Sequence, residues 1–163
     1  MRPVRGQGGE VFVRALVAFL VLPGLVAFAI PAAWIAAGAH ARIVQPLGLA
    51  PLIGGALALA ACARDFLVRG KGTLAPWSPP TRLVVAGLYR WSRNPMYVAV
   101  TAILLGWAAT FDVAGLYAYA ACVAVAFHLR VVFAEEPWLA RTHGDAWVEY
   151  AQRVPRWLGW RRH

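Results

Sequence analysis

Polar residues able to hold a charged ligand fall in two short stretches of an otherwise apolar chain. The first, Gly87-Leu88-Tyr89-Arg90-Trp91-Ser92-Arg93-Asn94-Pro95-Met96-Tyr97, is cationic and aromatic and lies between two hydrophobic halves. A residue before proline is pushed out of the helical region, while proline suits the first helical turn, so Asn94-Pro95 predicts a helix start. The free N–H groups of such a start, with Arg90 and Arg93 beside them, suit an anion or another polar ligand. The second stretch is His128-Leu129-Arg130-Val131-Val132-Phe133-Ala134-Glu135-Glu136. If helix continues through it, His128, Val132 and Glu135 come near one face. Adjacent carboxylates at the end of a membrane helix are costly to bury without cations, and Arg90, Arg93 and Arg130 are the candidate partners. The plainer alternative is a solvated helix end with Arg130 reaching to the membrane interface.

Long apolar segments must position these stretches. The chain has 163 residues, 61% hydrophobic and 14% charged, with a mean hydropathy of +0.59. A soluble domain of that composition lacks the polar surface to cover itself, so an integral membrane protein is expected. Ala15 to Ala39 and Ile43 to Ala63 carry no Asp, Glu, Lys or Arg, and each reaches the roughly 20 residues that cross a bilayer. The first run outlasts the apolar core of a signal peptide and reads as a retained span. Asn94 to Phe111 and Val113 to Leu129, separated by Asp112 alone, predict a tight helical hairpin packed through Ala102, Gly106, Ala108, Ala109, Ala118 and Ala121. Pro23, Gly24 and Pro31 bend the first span unless neighbours satisfy the freed carbonyls. Gly48, Gly54 and Gly55 give the second span a face for close helix contact.

The net charge of +9 is distributed in a way that speaks for topology rather than nucleic acid. Of the 16 Lys and Arg, only Arg42 falls on the far side of the predicted spans. The positive-inside rule then puts both termini and the connector between the second and third spans in the cytoplasm, at the inner membrane if the chain is bacterial. Cys62 and Cys122 lie in apolar runs and read as small hydrophobes, not as a metal site or a disulfide framework. The connector after Arg64 is long and stiffened by Pro76, Pro79 and Pro80; its alternation of aromatic and cationic side chains favours a functional loop. From Pro137 the tail fits a short amphipathic helix with Trp147, Tyr150, Ala151 and Val154 on one face, stopped by Pro155. Trp157, Trp160, Arg156, Arg161 and Arg162 then form an interfacial anchor. The expected fold is all-α: one polytopic membrane domain over 1–163 with about four transmembrane helices, the last two a tight hairpin. Residues 64–97 supply a cytoplasmic loop and helix start, and 135–163 a cytoplasmic C-terminal segment.

Thr81-Arg82-Leu83-Val84, Gly87, Tyr89 and Arg93-Asn94-Pro95-Met96-Tyr97, followed after the hairpin by Glu135-Glu136, Leu139, Gly144, Tyr150 and Val154-Pro155-Arg156, resemble the isoprenylcysteine carboxyl methyltransferase and phospholipid methyltransferase superfamily. The resemblance runs from Gly70 to Arg156 and does not single out a substrate. It implies a small helical membrane enzyme that takes S-adenosylmethionine on the cytoplasmic side. It further implies that Thr81, Arg82, Leu83, Val84, Tyr89, Asn94, Pro95, Met96, Tyr97 and Glu135 line the donor, within the 64–97 stretch and its facing acid. The family pattern usually has His where Asn94 stands; both side chains donate a hydrogen bond, but Asn does not titrate near neutrality. The prenylcysteine enzymes favour His at the position of Thr81. They also place a substrate-binding Arg four residues before the first Glu, where this chain has Val131; the adjacent Arg130 is turned from it by about 100° in a regular helix.

The residue types fit the chemistry on their own terms. Glu135 suits the donor's ammonium, a helix start near Asn94 its carboxylate, and Tyr89 or Tyr97 its sulfonium. Methyl transfer is a direct displacement that depends on alignment, and Arg93, Glu135 and Glu136 are the catalytic candidates. A carboxylate acceptor needs no base, whereas an amine acceptor must lose a proton, to Glu135, Glu136 or His128. Arg130 and His128 are the candidate acceptor-binding residues, although a packed or hydrogen-bonded role suits His128 better than catalysis. The expected acceptor is lipidic or hydrophobic and enters from the bilayer. Competing readings are a non-catalytic membrane protein that binds a partner or anionic lipid, and a membrane reductase of related fold that uses a nicotinamide cofactor.

Overall fold

A computed structural model describes residues 23–38, 42–69, 83 and 85–159, the side chains of 66–69 excepted. The N-terminal Arg2, Arg5 and Arg14, the proline-rich connector, Thr81, Arg82, Val84, and the terminal Trp160, Arg161 and Arg162 lie outside the described residues. Among the described residues all regular structure is helical. A π turn (Leu25–Ala29) leads into α1 (Ile30–Ala37), a 3-10 turn (Pro46–Gly48) into α2 (Leu49–Arg69), and a second 3-10 turn (Gly87–Arg90) precedes α3 (Pro95–Phe111). Then come α4 (Ala114–Arg130), a π turn (Val131–Glu135), α5 (Glu136–His143) and α6 (Asp145–Arg153).

The bend expected in the first apolar run takes the form of that first π turn. Pro31 has no N–H to give to the carbonyl four residues back, and its ring crowds that carbonyl. Ile30 N–H bonds instead to Leu25 O, five residues back. Neighbours satisfy the freed carbonyls: the Trp107 indole N–H donates to Ala27 O at 3.0 Å and the Tyr119 hydroxyl to Val26 O at 3.1 Å. Around this junction Ala27, Val100, Ile103, Leu104 and Ala120 form the main core.

Helices α2 and α3 approach almost backbone to backbone. A Cβ at Gly106 would overlap the backbone of Leu52, one at Gly55 would overlap Ala99 O and Ile103, and one at Gly48 would overlap Thr110. Gly54 faces open space. Gly106, expected to serve the α3–α4 hairpin, therefore sits against α2 instead, because the smallest residue goes where the backbones come closest. The hairpin itself turns at Asp112, a left-handed residue (φ 53°) whose N–H bonds to Ala108 O. The carbonyl of Thr110 also accepts the N–H groups of Val44 and Gln45, at 2.8 and 3.1 Å, which ties the α1–α2 connection to the same end of the molecule.

Two stretches, Pro46–Asp65 and Ala114–His143, are long and apolar enough to cross a membrane, and Leu25–Ala37 and Pro95–Phe111 are shorter apolar helices. Only 17% of the apolar window in each long stretch is buried within the protein, whereas the central helix of a soluble protein is mostly enclosed. Leu57, Val125 and Phe133 point outward, as a lipid-facing surface requires. These features support a helical integral-membrane protein.

Candidate active site

The loop before α3 is shaped by Gly87 and Asp65. Gly87 has φ +58°, a region that favours glycine, and a Cβ there would run into the carboxylate of Asp65, itself buried at the end of α2. The turn carries Tyr89 inward against Cys62, Leu88 and Met96. Burial pushes the Tyr89 phenol well above its ordinary value, so it stays neutral. Ser92 Oγ then accepts the N–H of Asn94 at 3.1 Å, and Pro95 opens α3 with no side chain capping its first turn.

Opposite this loop, α4 does not stop at Arg130 but continues through the π turn into α5. In a regular helix residues five apart point about 140° from each other; a turn closed by an i→i+5 bond brings them back to one side. Arg130 consequently lies over Glu135, its Nε donating to Oε1 at 2.7 Å. The Tyr97 hydroxyl donates to the same oxygen at 2.5 Å, and its ring stacks on Phe127 with centroids 4.3 Å apart. Glu135 Oε2 makes no hydrogen bond among the described residues. Val131, four before Glu135, is fully buried.

Glu136 has different partners. Arg93 Nη1 is 3.0 Å from Oε1, and Arg156 forks onto the carboxylate through Nε to Oε1 at 2.9 Å and Nη2 to Oε2 at 2.7 Å. The side chains of Arg93 and Glu136 are 13% and 15% exposed, against 50% and 30% for Arg130 and Glu135. Both acids face arginines, but Glu136 is enclosed and Glu135 is partly open. Burial draws the Arg93 guanidinium below its ordinary value, with Glu136 opposing the shift, whereas the hydrogen bond to Glu136 raises Arg156. Arg93 also stands 5.5 Å over the Trp147 ring.

The tail closes the arrangement. Helix α6 and the residue after it bury Trp147, Tyr150 and Val154 together with Leu83 and Leu139, the amphipathic face expected from the sequence. The Tyr150 hydroxyl donates to Tyr89 O at 2.7 Å, Arg93 N to Pro155 O at 2.9 Å, and Asn94 Nδ2 to Arg156 O at 3.0 Å. Ser92 Oγ adds a longer bond to Arg156 O at 3.4 Å. Beside Arg93 and Arg156 opens a cleft of about 620 Å³, also lined by Ala140, Trp147, Gln152 and Pro155.

The structure brings Tyr89, Arg93, Asn94, Tyr97, Arg130, Glu135 and Glu136 to one end of the molecule. Leu83 packs on the α6 face, Pro95 is buried at the start of α3, and Met96 packs beside Tyr89. His128 makes no hydrogen bond among the described residues; its exposed ring lies 6.0 Å from that of Trp157. Arg90, a candidate partner for the acids, is exposed and pairs with neither of them. Asp65, Tyr150 and Arg156 are elements of the site that were not among the site residues expected from sequence. The signal for Asp65 was an acid directly after the arginine that closes an uncharged run. For Arg156 it was a motif position otherwise read as part of an anchor.

These elements define a class: a helical membrane protein with a cluster of arginines, tyrosines and paired acids gathered from distant parts of the chain. The sequence matches the phospholipid methyltransferase family over residues 52–146, a span that includes the loop, the hairpin and both acids. The chain belongs to that family, in which methyltransferase activity and use of S-adenosylmethionine hold at family level. No curated protein and no solved structure matches it.

Proposed function

We propose that the chain is an S-adenosylmethionine-dependent methyltransferase that acts at the cytoplasmic membrane face on a lipidic or hydrophobic acceptor arriving from the bilayer. The observation that carries this reading is Glu135: a partly open carboxylate with one oxygen fixed by Tyr97 and Arg130 and the other free among the described residues. Such an oxygen fits the ammonium group of the donor. The uncapped first turn of α3 fits its carboxylate, and the rings of Tyr89 and Tyr97 fit a neighbouring cation. The remaining donor-lining residues of this reading are Thr81, Arg82, Leu83, Val84, Asn94, Pro95 and Met96.

The bound donor supplies an electrophilic methyl group. The chain's task is then alignment and exclusion of water. Glu136, held on both oxygens by guanidinium groups, is assigned to fixing Arg93 and the tail rather than to taking a proton. The Arg130 side chain is half exposed, which suits a polar group on the acceptor. His128 stands two residues earlier on the same exposed segment. In this reading four helices cross the bilayer and both termini are cytoplasmic, with 64–97 and 135–163 forming the donor side.

The test is to incubate purified chain with methyl-labelled S-adenosylmethionine and a native lipid extract. Label should pass into a lipid-soluble product and fail to do so with Glu135→Gln. Absence of any transfer by folded wild-type chain across neutral and anionic lipid fractions would count against the proposal.

A further inference from the structure

The geometry points to Pro137 as a positioning residue: by forcing the π turn at Val131–Glu135, it brings Arg130 rather than Val131 over Glu135. Its consequence for the donor rests on the function proposed above, but its consequence for the Arg130–Glu135 pair does not.

Two π turns occur among the described residues, and each stands at the same place relative to a proline. Ile30 N–H reaches back to Leu25 O and is followed by Pro31; Glu136 N–H reaches back to Val131 O and is followed by Pro137. The common cause is the missing N–H and the crowding of the carbonyl four residues earlier, here Ala27 and Phe133. Widening the preceding turn by one residue relieves that crowding. At the first site no ion pair among the described residues involves the turn. At the second, the extra residue changes which side chain faces Glu135. With regular helix from Arg130 to Glu135 the two would diverge by about 140°. With the π turn they meet at 2.7 Å, while Val131 turns into the core. Tyr97 completes the same oxygen from α3, so the turn also sets where Glu135 meets the start of α3.

The experiment compares the full chain in detergent with Pro137→Ala, in wild-type and in Arg130→Ala, Glu135→Gln and doubly substituted backgrounds. Thermal melting reads the Arg130–Glu135 pair without any ligand. The two substitutions should shift the melting temperature non-additively when Pro137 is present and additively when it is replaced. Pro137→Ala itself should melt no lower than wild type, since proline inside a helix is unfavourable, yet bind S-adenosylhomocysteine about tenfold more weakly, as loss of a charge-assisted hydrogen bond predicts. A merely structural proline would not separate the two readouts in this direction. Moving the arginine by one residue, Arg130→Val with Val131→Arg, restores four-residue spacing and should recover affinity in the Pro137→Ala chain. Unchanged non-additivity in Pro137→Ala overturns the inference, as does a folded shifted-arginine chain that still binds weakly. If Pro137→Ala does not fold, Pro137→Ser, which also regains the N–H, carries the same comparison. A wild-type chain that binds no S-adenosylhomocysteine overturns the donor reading alone, and the melting cycle still decides the role of Pro137.

Discussion

Glu135 and Glu136 are neighbours in the chain with opposite surroundings, and the difference comes from Arg156. Its fork onto Glu136, shared with Arg93, leaves Glu135 as the acid with an uncommitted oxygen. Arg156→Ala should lower stability by roughly 1 to 2 kcal/mol, allowing for partial exposure, which would appear as a melting temperature a few degrees lower. The buried phenols give a second prediction. Burial raises Tyr89 and Tyr150 above the ordinary value of 10.0, so the folded chain holds these protons more tightly than the unfolded chain. Their contribution is complete below about pH 10 and is lost as pH rises toward the folded values. Melting temperature measured against pH should therefore be insensitive to these groups around neutrality and decline above about pH 10. The need of paired acids for cationic partners was legible in the sequence, and Arg93 and Arg130 were among the named candidates. Arg156 was not, because its contact depends on a tail folding back over the loop, and no local spacing encodes that return.

At the scale of elements, the chain uses glycine for closeness and proline for phase. Gly55 and Gly106 let α2 and α3 meet at backbone distance, and this contact sets the Asp65 end of α2 beside the Gly87 turn. Gly106→Val should cost about 1 to 3 kcal/mol through overpacking against Leu52, detectable as reduced thermal stability of the purified chain. The apolar runs, the Asn94-Pro95 helix start, the turn at Asp112 and the α6 face with Trp147, Tyr150 and Val154 could all be read from composition and period. The π turns could not be. A proline shows that the helical ladder is interrupted, but whether the chain kinks, ends or widens depends on what neighbours offer the freed carbonyls. Trp107 and Tyr119 answer that question near Pro31. For the same reason the sequence left Arg130 one position away from where a regular helix would put a partner of Glu135.

Considered whole, the molecule is polarised. Arg42 and Asp112 mark one end, tied together near Thr110, while Asp65, the 87–94 loop, the acids and the tail mark the other. The proposed topology puts these ends on opposite sides of the bilayer. Cysteines introduced at Gln45 and Gln152, in a Cys122→Ser background, should react with an impermeant reagent from opposite faces of sealed vesicles; labelling of both from one face would contradict it. Polarity of this kind follows from the positive-inside distribution, whereas the joining of loop, acids and tail into one cluster required the fold. The central claim is that this cluster holds a sulfonium donor through Glu135. Calorimetric titration of the purified chain with S-adenosylhomocysteine tests it most directly. The account predicts saturable binding that is largely lost in Glu135→Gln. A folded wild-type chain that gives no heat of binding under varied temperature, or a Gln variant that binds as tightly as wild type, would contradict it.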